Sequence, residues 1–134
     1  MGAFTNALKD DLIDQAFGQV AYTPETNLQI ALTTTVPTLA TPGTEVAGGS
    51  YARVSVANNK TTWTNASSGS LSNAIQIAFP TATASWGNVQ GVEIYDNAGT
   101  TRLAFATLDT AKVIDTGDTA SFAIGELDIE FIGT

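Results

Sequence analysis

The chain contains no cysteine and no histidine among its 134 residues. Without cysteine, neither disulfide bonds nor thiolate metal sites can form, and composition carries no sign of the redox compartment. Without histidine, a catalytic triad that uses histidine as its base is impossible, and most of the usual zinc ligand sets are missing. Carboxylate chemistry is the remaining route to catalysis.

Positive charge is also scarce. Five lysines and arginines stand against 13 acidic residues, which gives a formal net charge of −8. The basic residues are scattered, so no patch could neutralise a run of phosphates, and we expect no binding to nucleic acid or to an anionic membrane. No segment approaches the roughly 20 apolar residues of a membrane span. We also expect no signal peptide, because the N-terminus lacks a basic start followed by an apolar run.

One segment has the apolar spacing of an amphipathic helix. The pattern predicts a helix over residues 4–18, with Thr5 or Asn6 as its N-cap and Gly18 at the C′ position. A helix of about three turns is marginal alone. We therefore expect its stripe to pack on its own domain, with a subunit interface as the alternative. The stripe consists of Phe4, Leu8, Leu12, Ile13, Ala16 and Phe17.

After Tyr22 the apolar period changes to two, in seven to nine short segments separated by turn sequences such as TPGTE, AGGS and DNAGT. This pattern predicts an all-β fold, an antiparallel β-sandwich of about 7–9 short strands with one N-terminal α-helix. We expect a single domain, with the helix in residues 1–18 and the sandwich in 19–134. The predicted core consists of Leu28, Ile30, Val54, Val56, Ile77, Phe79, Ile94, Phe105, Phe122 and Ile129.

The carboxylates give little reason to expect an enzyme. Glu93, Asp96, Asp109 and Glu126 could supply a glycosidase pair, but such a pair needs one acid whose pKa is raised by burial. Neither Glu93, on an alternating strand, nor Asp96, in a turn, is expected to be buried. The DTGD sequence at residues 115–118 has two carboxylates, as part of a calcium loop does, but it lacks the full run of oxygen ligands, and a polar turn is the favoured interpretation. We expect no catalytic residue, cofactor or metal.

Four aromatic residues could form a sugar-stacking platform: Trp63, Trp86, Tyr51 and Tyr95. Aromatic residues in a sandwich more often lie in the core or in interfaces. A carbohydrate-binding module for a host surface glycan is accordingly kept as one functional alternative.

Several stretches together resemble a family of small bacteriophage structural proteins, described as tail-fibre-like or head-decoration proteins. These stretches are LKDDLIDQAFG, GTEVAGGSYARVSV, FPTATASWGNVQGVEIYD and TGDTASFAIGELDIEF. The resemblance implies a non-enzymatic virion structural protein, assembled in the bacterial host cytoplasm. Our first interpretation is a capsid decoration protein that binds the major capsid protein as a homo-oligomer, with a trimer expected. The alternative is a tail, baseplate or fibre-base component that binds tail proteins.

Two groups of residues are candidates for contact with partners. The first is the acidic face of the last strand, Glu126, Asp128 and Glu130, for which a solvated outer face that discourages edge pairing is the first interpretation and contact with basic residues of a partner the alternative. The second is the apolar stripe at Phe4, Leu8 and Leu12.

Three residues are assigned structural roles. For Arg53, beside Tyr51, two interpretations stay open: a buried or interfacial ion pair with a carboxylate such as Glu45, and an arginine exposed to solvent. The resemblance implies that the segment after Phe79 makes a close crossing between two sheets, where Ala82, Ala84 and Gly87 let the chain pass tightly and Trp86 closes one end of the sandwich.

Overall fold

The computed structural model describes residues 2–131 and is mostly β, as the sequence predicts. Within these residues it has one helix, α1 (Asn6–Gly18), which follows the first strand. The strands are β1 (Gly2–Phe4), β2 (Asn27–Thr33), β3 (Val54–Ala57), β4 (Ser70–Ser72), β5 (Ile77–Ala78), β6 (Gly87–Tyr95), β7 (Arg102–Ile114), β8 (Ser121–Phe122) and β9 (Asp128–Glu130).

The strands form two layers. The main sheet has the order β1-β7-β6-β2-β3, and every neighbouring pair is antiparallel. The second layer consists of two short antiparallel pairs, β4 with β9 and β5 with β8. Apolar side chains from both layers meet in one core cluster, so the predicted antiparallel sandwich is confirmed.

Strand alternation selects the core residues. Leu28, Ile30 and Leu32 of β2 point to the second layer, because successive side chains of a strand face opposite sides of its sheet. Ile30 and Ile77 are almost fully buried, at 0% and 1% exposure. Of the ten predicted core residues, six are buried and three are half-buried against the cluster. The six are Leu28, Ile30, Val56, Ile77, Phe79 and Ile94, and the three are Val54, Phe122 and Ile129.

The prediction was wrong for Phe105. On β7 the face that carries Ala104 and Ala106 looks into the core, opposite Ile94 and Val92 of β6. Phe105 therefore lies on the outer face, where its ring is 4.7 Å from the guanidinium carbon of Arg102. Period two alone could not distinguish the two faces, because both faces of this strand are apolar in sequence.

The helix begins later than predicted. Phe4 belongs to β1, where it is paired with Ala104 and stacks edge-on against Phe131. Thr5 occupies the N-cap position, yet its hydroxyl donates to the Arg102 carbonyl at 2.6 Å and does not cap the helix. At the other end Gly18 is still helical, and Gln19 takes the left-handed conformation with φ of 55°.

The sandwich covers only part of the helix stripe. Leu8 and Leu12 are half-buried, whereas Ile13 and Phe17 are 49% and 89% exposed. The helix has no fully buried residue. The expectation that the whole stripe packs on its own domain is therefore wrong for Ile13, Ala16 and Phe17. In the part of the chain that the structure describes, no helix combines the length and apolar character needed to cross a membrane.

The segment from Phe79 to Trp86 crosses between the layers as predicted. It leaves β5 in the second layer and enters β6 in the main sheet. Ala82 and Trp86 are 1% and 4% exposed along this crossing. The Trp86 indole nitrogen donates to the Gly49 carbonyl at 2.9 Å, which ties the crossing to the GGSYAR stretch.

Residues 34–44 form a loop, here called loop 34–44, that folds back over the outer face of the main sheet. Its ends are joined by a hydrogen bond from the Thr34 amide to the Thr44 carbonyl at 2.8 Å. A Cβ atom added to Gly91 of β6 would overlap the ring of Pro37, which shows how closely the loop lies on that strand. This loop positions the polar cluster described next.

Candidate functional site

A buried ion pair lies under loop 34–44 on the outer face of the main sheet. The Arg102 guanidinium donates to Glu93 Oε1 at 2.8 Å, and the side chains are 9% and 1% exposed. The same oxygen accepts the Gly43 amide at 2.9 Å, and Oε2 accepts the Tyr95 hydroxyl at 2.9 Å. Both carboxylate oxygens are thus occupied. The expectation that Glu93 is solvated was wrong, because loop 34–44 covers it.

The Arg102 side chain also binds the backbone of loop 34–44. Its second terminal nitrogen donates to the carbonyls of Thr38 and Leu39, at 2.7 and 3.0 Å. One guanidinium therefore joins β7, β6 and loop 34–44. Charge-assisted hydrogen bonds of this kind are about twice as strong as neutral ones.

The ion pair between Arg53 and Glu45, one of the two interpretations of the sequence, is present next to this cluster. It is bidentate, with Nε donating to Oε1 and NH2 donating to Oε2, both at 2.8 Å. The Tyr51 hydroxyl donates to Oε1 at 2.9 Å and accepts the Leu32 amide at 3.0 Å. The remaining Arg53 nitrogen donates to the Gly99 carbonyl at 2.9 Å.

Tyr95 connects the two ion pairs. Its ring lies 4.0 Å from the guanidinium carbon of Arg53, and its hydroxyl donates to Glu93. The cluster therefore runs from Glu45 through Arg53, Tyr95 and Glu93 to Arg102. It joins strands β6 and β7 to the segment between β2 and β3, which carries Glu45 and Arg53.

The cluster shifts the pKa values of its members in directions that favour this arrangement. Hydrogen bonds from Arg53 lower the pKa of Glu45 below its ordinary value of 4.5, despite partial burial. Burial, followed by the hydrogen bond to Glu93, raises the pKa of Tyr95 to about 12. Burial also raises the pKa of Tyr51. Near neutral pH the Glu45 carboxylate therefore stays ionised, and the Tyr51 and Tyr95 hydroxyls stay protonated.

Of the other carboxylates weighed for catalysis, two are used in turns, whereas Asp109 is exposed on β7. Asp96 accepts the amides of Thr100 and Thr101 within the β6–β7 hairpin, and Glu126 accepts the Ala123 amide. In the DTGD turn, Asp118 accepts the Asp115 amide. Among residues 2–131 there is no group of three or more acidic side chains placed to hold a metal ion.

The sugar-stacking platform does not form. Trp63 and Trp86 are each 4% exposed, and Tyr51 packs between Trp86 and Phe79. Tyr95 is covered by Arg53. The four aromatics considered for glycan binding serve the core and the polar cluster.

The sequence-predicted contact residues lie on two separate parts of the molecule. On β9, Asp128 is exposed and Glu130 is half-buried, and the strand pairs with β4 through Ser72 and Ser70. Glu126 is exposed in the preceding turn. Phe4 lies in the edge strand β1, and Leu8 and Leu12 lie in α1.

A cleft of about 510 Å³ opens between the second half of β7 and β8. The cleft lies at a bulge in β7. Val89 and Gly91 of β6 are two positions apart, but their partners on β7, Lys112 and Thr107, are five positions apart. The walls include the apolar side chains of Phe79 and Phe122. The charged side chains of Asp109, Lys112 and Glu126 also line the cleft, so its walls are polar as well as apolar.

A family model spans nearly the whole of this fold. It matches residues 3–130 and is described as the podophage GP4 fiber I protein gp80. The chain belongs to this family. The predicted relationship to bacteriophage virion structural proteins is thereby confirmed, and the chain is a virion component. A comparison with curated proteins finds none that matches.

The residues that hold this family member together were only partly visible in its sequence. The Arg53–Glu45 pair was one of two interpretations of the GTEVAGGSYAR stretch. The Glu93–Arg102 pair was not predicted, although the sequence contains a signal for it. The 32 residues from Thr61 to Val92 have no charged side chain, and Glu93 follows them directly. A lone carboxylate within an apolar strand indicates either exposure or a buried partner. The partner could be recognised only once loop 34–44 was known to cover the strand.

Proposed function

We propose that this protein is a non-enzymatic structural module of a podophage fibre, located where the fibre joins the particle. The observation that carries the proposal is the match to a fibre-protein family over residues 3–130, which covers both layers of the sandwich and helix α1. Because the match spans the folded unit, we take the whole two-layered fold to be common to members of the family.

The use of charge in the fold supports a structural role. Both arginines are committed to ion pairs that fasten turns and loop 34–44 to the main sheet. All four oxygens of their carboxylate partners accept hydrogen bonds within the chain. A catalytic acid or base needs a free position facing a substrate. The cluster holds turns and loop 34–44 on the main sheet, which suits a structural component of the virion.

The fibre location is tested by labelling intact virions with gold-conjugated antibody fragments raised against the purified chain. We expect a few gold particles per virion, confined to the fibres or their attachment points. Label scattered over the capsid in hundreds of copies would assign the chain to capsid decoration. Absence of label from purified virions that contain the chain by mass spectrometry would indicate that its epitopes are covered, and antibodies to a second epitope would then be used.

Capsid decoration is the second candidate, and the acidic edge at β9 favours it. Glu126, Asp128 and Glu130 belong to a chain with a net charge of −8, which suits contact with Lys or Arg residues of a major capsid protein. Under this role the protein, assembled in the host cytoplasm, would coat the outer capsid surface.

The acidic edge is tested by attachment to particles that lack the chain. If decoration is the role, attachment weakens as salt rises, because a Debye length falls from about 10 Å at 0.1 M to about 3 Å at 1 M. Replacing Asp128 and Glu130 by Asn and Gln should weaken attachment without lowering the midpoint of thermal unfolding. A matched control replaces Asp10 and Asp11 of α1 in the same way. Attachment that ignores both salt and the β9 replacements would remove this edge as the docking surface.

A further inference from the structure

We propose that the exposed half of the α1 stripe is a self-association surface, on which α1 of one copy packs parallel to α1 of another. The surface consists of Ile13 and Phe17, extended past the helix end by Val20, and is here called the α1 seam.

The α1 seam is apolar and uncovered by its own chain. Phe17 is 89% exposed, Ile13 49% and Val20 57%. Residues four apart on a helix are neighbours on one face, so Ile13 and Phe17 form one continuous patch. A 13-residue helix with no fully buried residue gains little from packing. Such a helix is marginal in water, so a helix partner would supply the missing cover.

The charges beside the seam identify another copy of α1 as that partner. The seam can be described as part of a coiled-coil heptad, whose apolar positions are called a and d. If Ile13 is at d and Phe17 at the next a, the flanking position g is Lys9 and the flanking position e is Asp14. In two parallel helices, the residue at position g of one helix lies next to the residue at position e of the other that is five positions later in sequence. Opposite charges at these two positions favour association. Lys9 of each copy would thus meet Asp14 of the next.

Asp14 is exposed, and Lys9 is half-buried at the edge of the helix, beside Phe4 and Phe131. Within residues 2–131 the ion pairs are Arg53–Glu45 and Arg102–Glu93, so neither Lys9 nor Asp14 is in one. Asp10 falls at the preceding a position, where a carboxylate disfavours burial. The seam therefore begins at Ile13 and includes only the C-terminal half of the helix. A short seam of this kind suits cyclic association in which each copy uses the same surface.

The test is the mass of the purified full chain in solution, measured by light scattering across a concentration series. We expect an oligomer that dissociates on dilution. Replacing Ile13 and Phe17 together by Gln should reduce the mass to that of one chain, with an unchanged circular dichroism spectrum. The matched control is Ile124→Gln, another exposed isoleucine at 69% exposure, which should leave the oligomer intact.

Orientation is tested by charge exchange. Lys9→Asp should weaken association about two- to fivefold for each pair lost, as should Asp14→Lys. The two changes together should restore it, because the pair is then reversed. Failure of the double variant to recover would overturn the parallel arrangement.

Three results would overturn the proposal as a whole. The first is a wild-type chain that is monomeric at every concentration. The second is an oligomer that survives Gln at both seam positions. The third is an Ile124→Gln variant that dissociates equally. A monomer whose attachment to virions is nevertheless lost on Phe17→Gln would assign the seam to a different virion protein.

Discussion

Arg102 holds a carboxylate that has almost no access to water, and Arg53 holds one that is about one-third exposed. The Glu93 side chain is 1% exposed, whereas that of Glu45 is 32% exposed. Removing one member of a buried pair leaves an uncompensated charge, which costs far more than the loss of a partly solvated contact. The two pairs look alike in geometry and should differ in their effect on stability.

Replacing Arg102 by Leu should lower the free energy of unfolding by about 3–5 kcal/mol. The matched replacement Arg53→Leu should lower it by about 1–2 kcal/mol, through the partly exposed pair and the lost contact with the Tyr95 ring. Urea unfolding followed by tryptophan fluorescence measures both. Equal effects from the two changes would show that burial of Glu93 does not decide the cost.

The Glu45 carboxylate should give stability a defined pH dependence. Its pKa in the folded chain lies below its ordinary value of 4.5, so folding favours the ionised form. The contribution is fully present above the unfolded-state pKa and is lost as pH falls through the lower folded-state pKa.

The variant Glu45→Gln should therefore be less stable than the wild type at pH 7. The two stabilities should converge as pH falls below about 4.5. Thermal unfolding from pH 7 to pH 3 provides the comparison, with Asp128→Asn as the control on an exposed strand residue. A stability difference that stays constant across this range would contradict the direction of the shift.

Among the elements, loop 34–44 has the largest effect on the polar cluster. It supplies the Gly43 amide to Glu93 and two carbonyls to Arg102. It lies so close to β6 that only a glycine fits at residue 91. The cluster and the loop therefore depend on one another, since moving the loop would expose Glu93 and unpair part of Arg102.

Replacing Gly91 by Ala should lift the loop, because the added Cβ would meet Thr33 Oγ1 at 2.5 Å as well as the Pro37 ring. We expect a loss of about 1–3 kcal/mol in the free energy of unfolding. Amide hydrogen exchange within residues 34–44 should also become faster. The control Gly18→Ala meets only Val20 at 3.7 Å, and should be neutral or slightly stabilising. Unchanged exchange in the loop would show that its contact with β6 is not tight.

Most elements could be predicted from the sequence because their apolar residues alternate on one face. This holds for β2, where Leu28 and Ile30 reach the core as expected. It fails for β7, where Phe105 and Ala104 are both apolar and only the pairing with β6 selects the inner face. The Glu93–Arg102 pair was beyond local pattern, because its burial depends on a loop from a distant part of the chain.

For the whole molecule, stabilising and assembling surfaces are separate. The polar cluster lies on the outer face of the main sheet, and its carboxylate oxygens accept hydrogen bonds from the same chain. The α1 seam lies beside the β1 edge and is left open by its own chain. This division is consistent with a virion module that folds independently and then meets its neighbours.

The measurement that tests this account most directly is a cryo-electron microscopy reconstruction of the intact virion at side-chain resolution. We predict density for the two-layered sandwich at the fibre attachment, with α1 of neighbouring copies in parallel contact at Ile13 and Phe17. A reconstruction in which the sandwich is present and α1 faces open solvent would contradict the self-association surface. One in which the chain lies elsewhere in the virion would contradict the fibre location.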